Sequence, residues 1–139
     1  MTETAGKILV VDDHIEISES LRRLLILSGY DAVSRQDGRS ALSYMGDIRP
    51  ACVILDQMMP GMTGLEVLRS MRQIPDLASV PVIFFSAVDS QSIHDEALRL
   101  GANAWLLKGT SWPQILKVVQ DVTLPTHMPP SDHRSAAFH

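Results

Sequence analysis

Five side chains in this sequence could share one piece of chemistry: Asp12, Asp13, Asp56, Ser86 and Lys108. They stand at the ends of four short apolar runs. Lys7-Ile8-Leu9-Val10-Val11 leads into Asp12-Asp13, and Cys52-Val53-Ile54-Leu55 leads into Asp56. Pro81-Val82-Ile83-Phe84-Phe85 leads into Ser86, and Ala104-Trp105-Leu106-Leu107 into Lys108. Three gathered carboxylates repel one another and resist full ionisation. A hard dication with oxygen ligands and retained waters removes that problem, and Mg2+ suits the donor set. A carboxylate can also be a nucleophile toward a phosphoryl group. On that reading Asp56 takes the phosphoryl group, Mg2+ neutralises phosphate oxygens, and Lys108 and Ser86 bind the others. Such transfer needs an electrophilic clamp more than a general base.

The plainer reading of each residue alone is a turn former, a helix cap, a strand-end hydroxyl or a solvated lysine. The joint placement carries the argument, so the elements that hold these residues matter. The apolar runs are short and suit strands buried on both faces. Pro60-Gly61 stops regular structure after Asp56. Asp56 then falls at the C-terminal tip of a central strand, where open α/β sheets hold ligands.

Helical patterns separate the strands. Ile17, Leu21, Leu24 and Leu25 repeat at helical spacing, closed by Ser28-Gly29. A weak strand is expected over 31–34. Asp37-Gly38 turns into a helix bearing Ala41, Leu42 and Met45 and ending at Gly46. Thr63-Gly64-Leu65-Glu66 is a capping box ahead of Leu65, Leu68 and Met71, and Pro75 ends that region. Asp89-Ser90 can cap a helix with Ile93, Ala97 and Leu100, stopped by Gly101. Ser111-Trp112-Pro113-Gln114 reads as another capping box, before Ile115, Val118, Val119 and Val122. Strand and helix alternate five times, which implies an α/β fold with a parallel sheet and helices on both faces.

Composition bounds the function. The 139 residues suffice for one domain, and 45% of them are hydrophobic, too many for a disordered chain. A net charge of −4 disfavours direct nucleic acid binding. The single cysteine, Cys52, lies in an apolar run and reads as a core thiol. No leader pattern and no membrane-length apolar run is present, so a cytoplasmic protein without membrane contact is expected. Residues 1–6 read as a loose end. Residues 123–139, with three prolines and with His127, His133 and His139, read as a mobile tail after a domain over 1–122.

The sequence resembles the receiver domains of two-component response regulators over about residues 5–122. The resemblance rests on Lys7 to Asp13, on Asp56 to Gly64 (D-x-x-M-P-G-x-x-G), on Ser86-Ala87 and on Leu107-Lys108. It implies a flavodoxin-like (βα)5 fold with strand order 2-1-3-4-5. It implies phosphotransfer from a histidine kinase or histidine phosphotransfer protein to Asp56. Mg2+ would be held by Asp13, Asp56 and the backbone carbonyl of Met58, with Asp12 acting through water. Ser86, Lys108 and the amides of Met58 and Ala87 would contact the phosphoryl group. Ser86 and Trp105 would form the switch, and a downstream protein would read the last two helices and last strand.

Three departures from the family pattern stand out. Trp105 replaces the usual Tyr or Phe; the larger indole, whose N–H wants a partner, is expected either to sit outward or to be a half-buried strand residue with no switching role. Gly109 replaces the usual cis proline, so a trans Lys108–Gly109 bond is expected. Met58 and Val88 cannot hydrogen-bond an attacking water, so slow self-hydrolysis is expected. His14 reads as a surface residue outside the sheet tip. Trp112 is open to two readings, a partner surface or packing on the loop. Two other functions remain open. One is the receiver part of a longer DNA-binding or enzymatic regulator. The other is an aspartyl-phosphate hydrolase, but those enzymes generally carry an acid where Met58 stands, so a switch and not an enzyme is expected.

Overall fold

The structure is a computed structural model and describes residues 6–123. Strands β1 Lys7–Val11, β2 Asp31–Arg35, β3 Cys52–Leu55, β4 Val82–Ser86 and β5 Ala104–Leu107 alternate with helices. The helices are α1 Ile15–Leu27, α2 Gly38–Ile48, α3 Gly64–Gln73, α4 Gln91–Arg99 and α5 Trp112–Thr123. All strand pairs are parallel, and the order is β2-β1-β3-β4-β5. This is the flavodoxin-like arrangement expected from the sequence.

The period-2 alternation of each strand divides the core. Leu9, Val11, Val53, Leu55, Val82, Phe84 and Trp105 pack with α2, α3 and α4. Ile8, Val10, Cys52, Ile54, Ile83, Phe85, Ala104 and Leu106 pack with α1 and α5. Every residue of β3 is buried, which is why its sequence is apolar without alternation. Cys52 is a free thiol in this core, and burial pushes its pKa far above the ordinary thiol value.

Local chemistry sets the helix ends. At the end of α1, Gly29 takes φ +99°, its N–H reaches Ile26 O at 3.1 Å, and Tyr30 N–H reaches Leu25 O at 3.0 Å. That pair of bonds closes the helix around a left-handed glycine. The Thr63–Glu66 capping box at α3 forms in both directions. Three boundaries differ from expectation, and the first is β2, which runs one residue further, to Arg35. Helix α2 runs through Gly46 to Ile48, because Arg49 adopts φ 47° and its N–H still reaches Met45 O at 2.9 Å. An interior glycine costs about 1 kcal/mol relative to alanine, and the buried Ala41 and Met45 on the same helix outweigh it. Thr123 belongs to α5, where its Oγ1 lies 3.1 Å from Tyr30 Oη. The rest of the expected tail, with His127, His133 and His139, and residues 1–5 lie outside the described residues.

Arg72 fastens α3 to the end of α4 and to the approach to β4. Its guanidinium donates to the carbonyls of Leu100 at 2.8 Å, Gly101 at 3.0 Å and Val80 at 3.0 Å. With a longer bond to Leu77 O at 3.4 Å, one charged group serves four backbone acceptors from the end of α4 and the approach to β4. Hydrogen bonds to charged groups contribute about 1.5–3 kcal/mol. Arg72→Ala should therefore lower unfolding stability by about 2–3 kcal/mol in urea, with an unchanged denaturant slope.

Candidate functional site

The backbone brings the reactive residues together. The register pairs Val11 with Leu55, so Asp12 and Asp56 leave the sheet side by side. Asp56 N–H donates to Val11 O at 2.9 Å, and Lys108 N–H donates to Ser86 O at 2.9 Å. These bonds extend the ladder past the strands and fix all four tips on one edge.

The side chains then meet. Lys108 Nζ lies 2.9 Å from Asp12 Oδ2 and 3.2 Å from Asp56 Oδ2. Both carboxylates are 3% exposed, so this is a desolvated pairing that water screens little. Burial opposes the charge on Lys108, but the adjacent Asp12 and Asp56 outweigh it and hold its pKa above the usual lysine value. The ammonium therefore stays charged across the neutral range.

Asp13 completes the cluster. Its Oδ1 is buried and accepts no hydrogen bond among the described residues; His14 Nδ1 lies 3.4 Å away, outside bonding geometry. Ligand atoms of Asp12, Asp13, His14 and Asp56 all lie within 4.8 Å of one another. Carboxylates facing one ammonium, with a buried oxygen left over, fit a divalent cation. His14 is exposed at the start of α1, as expected, but its ring does not stand clear of the sheet tip. It is the N-cap of α1, and although its side chain is 62% exposed, its Nδ1 sits 3.1 Å from Asp12 Oδ1. The helix starts so soon after Asp13 that the imidazole turns back over the β1 tip.

Other residues shape the site. Gln57, which the sequence reading passed over, is buried and its Oε1 accepts from Leu65 N–H at 2.8 Å. With Gly64 N–H donating to Gln57 O at 3.0 Å, it draws the start of α3 against the Asp56 turn. A Cβ on Gly64 would run into the Asp56 carbonyl and the Phe84 ring, so this approach requires glycine. Met58 and Ala87 are exposed at the site rim. Ser86 is fully buried, and its Oγ accepts from Val88 N–H at 3.2 Å. Lys108–Gly109 is trans, as expected, and Gly109 takes φ +105°, a conformation closed to proline.

Trp105 contradicts the outward placement expected for it. It is 2% exposed, its ring stacks on Phe84 at 4.5 Å, and Nε1–H donates to Val88 O at 3.1 Å. The indole N–H finds a backbone carbonyl inside, which removes the cost of burying it. Trp112 packs against the α1/α5 side of the core. At the start of α5, Ser111 Oγ donates to Gln114 Oε1 at 3.2 Å.

Residues 8–120 match the family model described as the response regulator receiver domain. This chain belongs to the receiver family. The receiver is 42% identical over 110 residues to the response regulator MprA of Mycolicibacterium vanbaalenii, covering 79% of this chain and 47% of that protein. MprA of Mycobacterium avium is 37% identical over 132 residues, with 95% and 57% covered. The receiver thus spans about half the length of these relatives. The chemotaxis protein CheY4 of Vibrio cholerae superposes with a TM-score of 0.80 at 32% identity, over 84% of this chain and 98% of CheY4. The receiver domain of the response regulator NarL of Mycobacterium tuberculosis gives 0.79 at 34%, over 87% and 98%.

Proposed function

We propose that Asp56 is the phosphoacceptor of this receiver and that Ser86 and Trp105 convert its modification into a change of surface. The observation that carries the reading is Lys108 clamped between Asp12 and Asp56, beside an Asp13 oxygen that is buried and accepts no hydrogen bond among the described residues. Asp56 supplies the nucleophilic oxygen, and its neighbours hold it in place. Lys108 follows the charge onto the incoming phosphoryl oxygens, joined by the amides of Met58 and Ala87. Asp13, Asp56 and the Met58 carbonyl would hold Mg2+, with Asp12 acting through water. Bound there, Mg2+ would supply the positive charge that lets two anions approach. The donor would be a histidine kinase or histidine phosphotransfer protein.

The switch reading rests on a continuous pair of bonds. Trp105 Nε1–H donates to Val88 O, and Val88 N–H donates to Ser86 Oγ. Ser86 cannot turn its hydroxyl toward a phosphoryl group without loosening Val88, and Val88 holds the indole. The ring borders a groove of about 520 Å3 lined by His94, Leu107, Gln114 and Lys117. Leu98 and Leu107 are exposed nearby, at 56% and 40%. A downstream protein partner would read this α4–β5–α5 surface.

The chain functions as a switch without turnover of external substrates; the exposed Met58 offers no acid–base group for hydrolysis. Among the described residues no helix is long and apolar enough to cross a membrane. A cytoplasmic setting without direct nucleic acid contact agrees with that and with the net charge. One specific observation favours a second reading, the receiver part of a longer regulator: the MprA relatives are about twice as long as the matched region. A solved relative from Staphylococcus aureus is described as a DNA-binding response regulator. Whether the coding frame continues past His139 decides between them.

Two outcomes are expected. Intact mass after incubation with Mg2+ and acetyl phosphate should show one phosphoryl adduct that is absent in Asp56→Asn. The adduct should decay slowly, and faster in Met58→Asn. In a Trp112→Phe background, fluoroberyllate with Mg2+ should shift Trp105 emission, and Ser86→Ala should abolish the shift. Unchanged emission on saturated protein would remove Trp105 from the switch.

A further inference from the structure

We propose that His14 sets the metal preference of the acidic site, adding a nitrogen ligand that favours first-row transition-metal dications over Mg2+. The inference rests on the reading of Asp13 and Asp56 as metal ligands. It goes beyond that reading by assigning a role to a residue outside the expected oxygen set.

The placement is specific. His14 N–H donates to Asp12 Oδ1 at 2.9 Å, which pins the residue over the β1 tip. The imidazole makes no capping bond to α1, so the helix does not use it. Its Nδ1 is 3.1 Å from Asp12 Oδ1 and 3.4 Å from Asp13 Oδ1. Two ligands of one ion, each at about 2.1 Å, lie about 3.0 Å apart at a right angle and about 3.4 Å apart at a tetrahedral angle. The 3.4 Å spacing to Asp13 Oδ1 matches neighbouring positions of one coordination shell, and the 3.1 Å contact is a hydrogen bond to Asp12, which in the proposed site acts through water. Without an ion Nδ1 donates to the Asp12 carboxylate; when a dication binds, the proton of the neutral ring sits on Nε2 and Nδ1 coordinates.

The donor chemistry then decides which ion gains. Mg2+ favours hard oxygen ligands and retains its waters, so imidazole adds little to its binding. Imidazole suits later first-row dications, whose affinity for mixed nitrogen and oxygen sites rises along the series from Mn2+ toward Cu2+. An all-oxygen set of Asp13, Asp56 and Met58 lacks this bias. His14 supplies it from the position directly after Asp13.

The test is a pair of titrations of the full chain, with Co2+ and with Mg2+, for wild type, His14→Ala and His14→Asn. Co2+ is followed by its visible absorption and Mg2+ by tryptophan emission. His14→Asn keeps a polar N-cap, and thermal midpoints confirm that each variant is folded. Both variants should lose tenfold or more in Co2+ affinity and shift the Co2+ bands, while Mg2+ affinity stays within about twofold. Unchanged Co2+ affinity, or equal loss for both ions, would overturn the role of His14. If Mg2+ does not saturate wild type, or Asp56→Asn alters neither ion's binding, the metal reading itself fails and this inference falls with it.

Discussion

The constraint on which this structure turns is charge at the C-terminal edge of the sheet. Asp12 and Asp56 are buried there, with Asp13 beside them, and Lys108 is the ammonium that bridges the two buried carboxylates. Removing carboxylates from water costs several kcal/mol each unless they are paired. One ammonium offsets only part of that cost. The site is therefore short of positive charge, and the proposed binding of a cation together with a phosphoryl group rests on that shortfall.

The rest of the fold keeps that edge rigid. Parallel pairing of β1 with β3 sets Asp12 beside Asp56. Gln57 and Gly64 pull the N-terminus of α3 against the Asp56 turn, which leaves the carboxylate little room to swing away. On the other side, Phe84, Trp105 and Val88 join the strand tips to the loop before α4. The acidic edge and the α4–β5–α5 surface are thus connected through few contacts, with Ser86 at the junction. The proposed switch uses this connection, since a close-packed core leaves little slack between the two.

Much of this was legible in the sequence, for physical reasons. Four apolar runs that each deliver a polar residue define strand tips, and β-α alternation puts those tips on one edge. The Thr63–Glu66 box and Gly29 announced helix ends because their chemistry is local. The misreadings concern long-range partners. Trp105 looked too large and too polar to face inward, since nothing in the sequence shows that Val88 O will meet its N–H. His14 is the surface residue expected, but its approach to Asp12 and Asp13 gave no signal, because it depends on how soon α1 begins. Gln57 gave no signal, because its role depends on where Leu65 N–H lands. Gly46 misled for the opposite reason: a local breaker was overridden by burial on the same helix.

The most direct test of the charge account is thermal unfolding of wild type and Asp13→Asn, each with and without saturating Mg2+. Removing one of the clustered negative charges should stabilise the metal-free protein. Mg2+ should stabilise wild type by about 2.7 kcal/mol at a hundredfold excess over Kd, and Asp13→Asn much less. A metal-free Asp13→Asn protein less stable than wild type, with no effect of Mg2+ on either, would contradict the account.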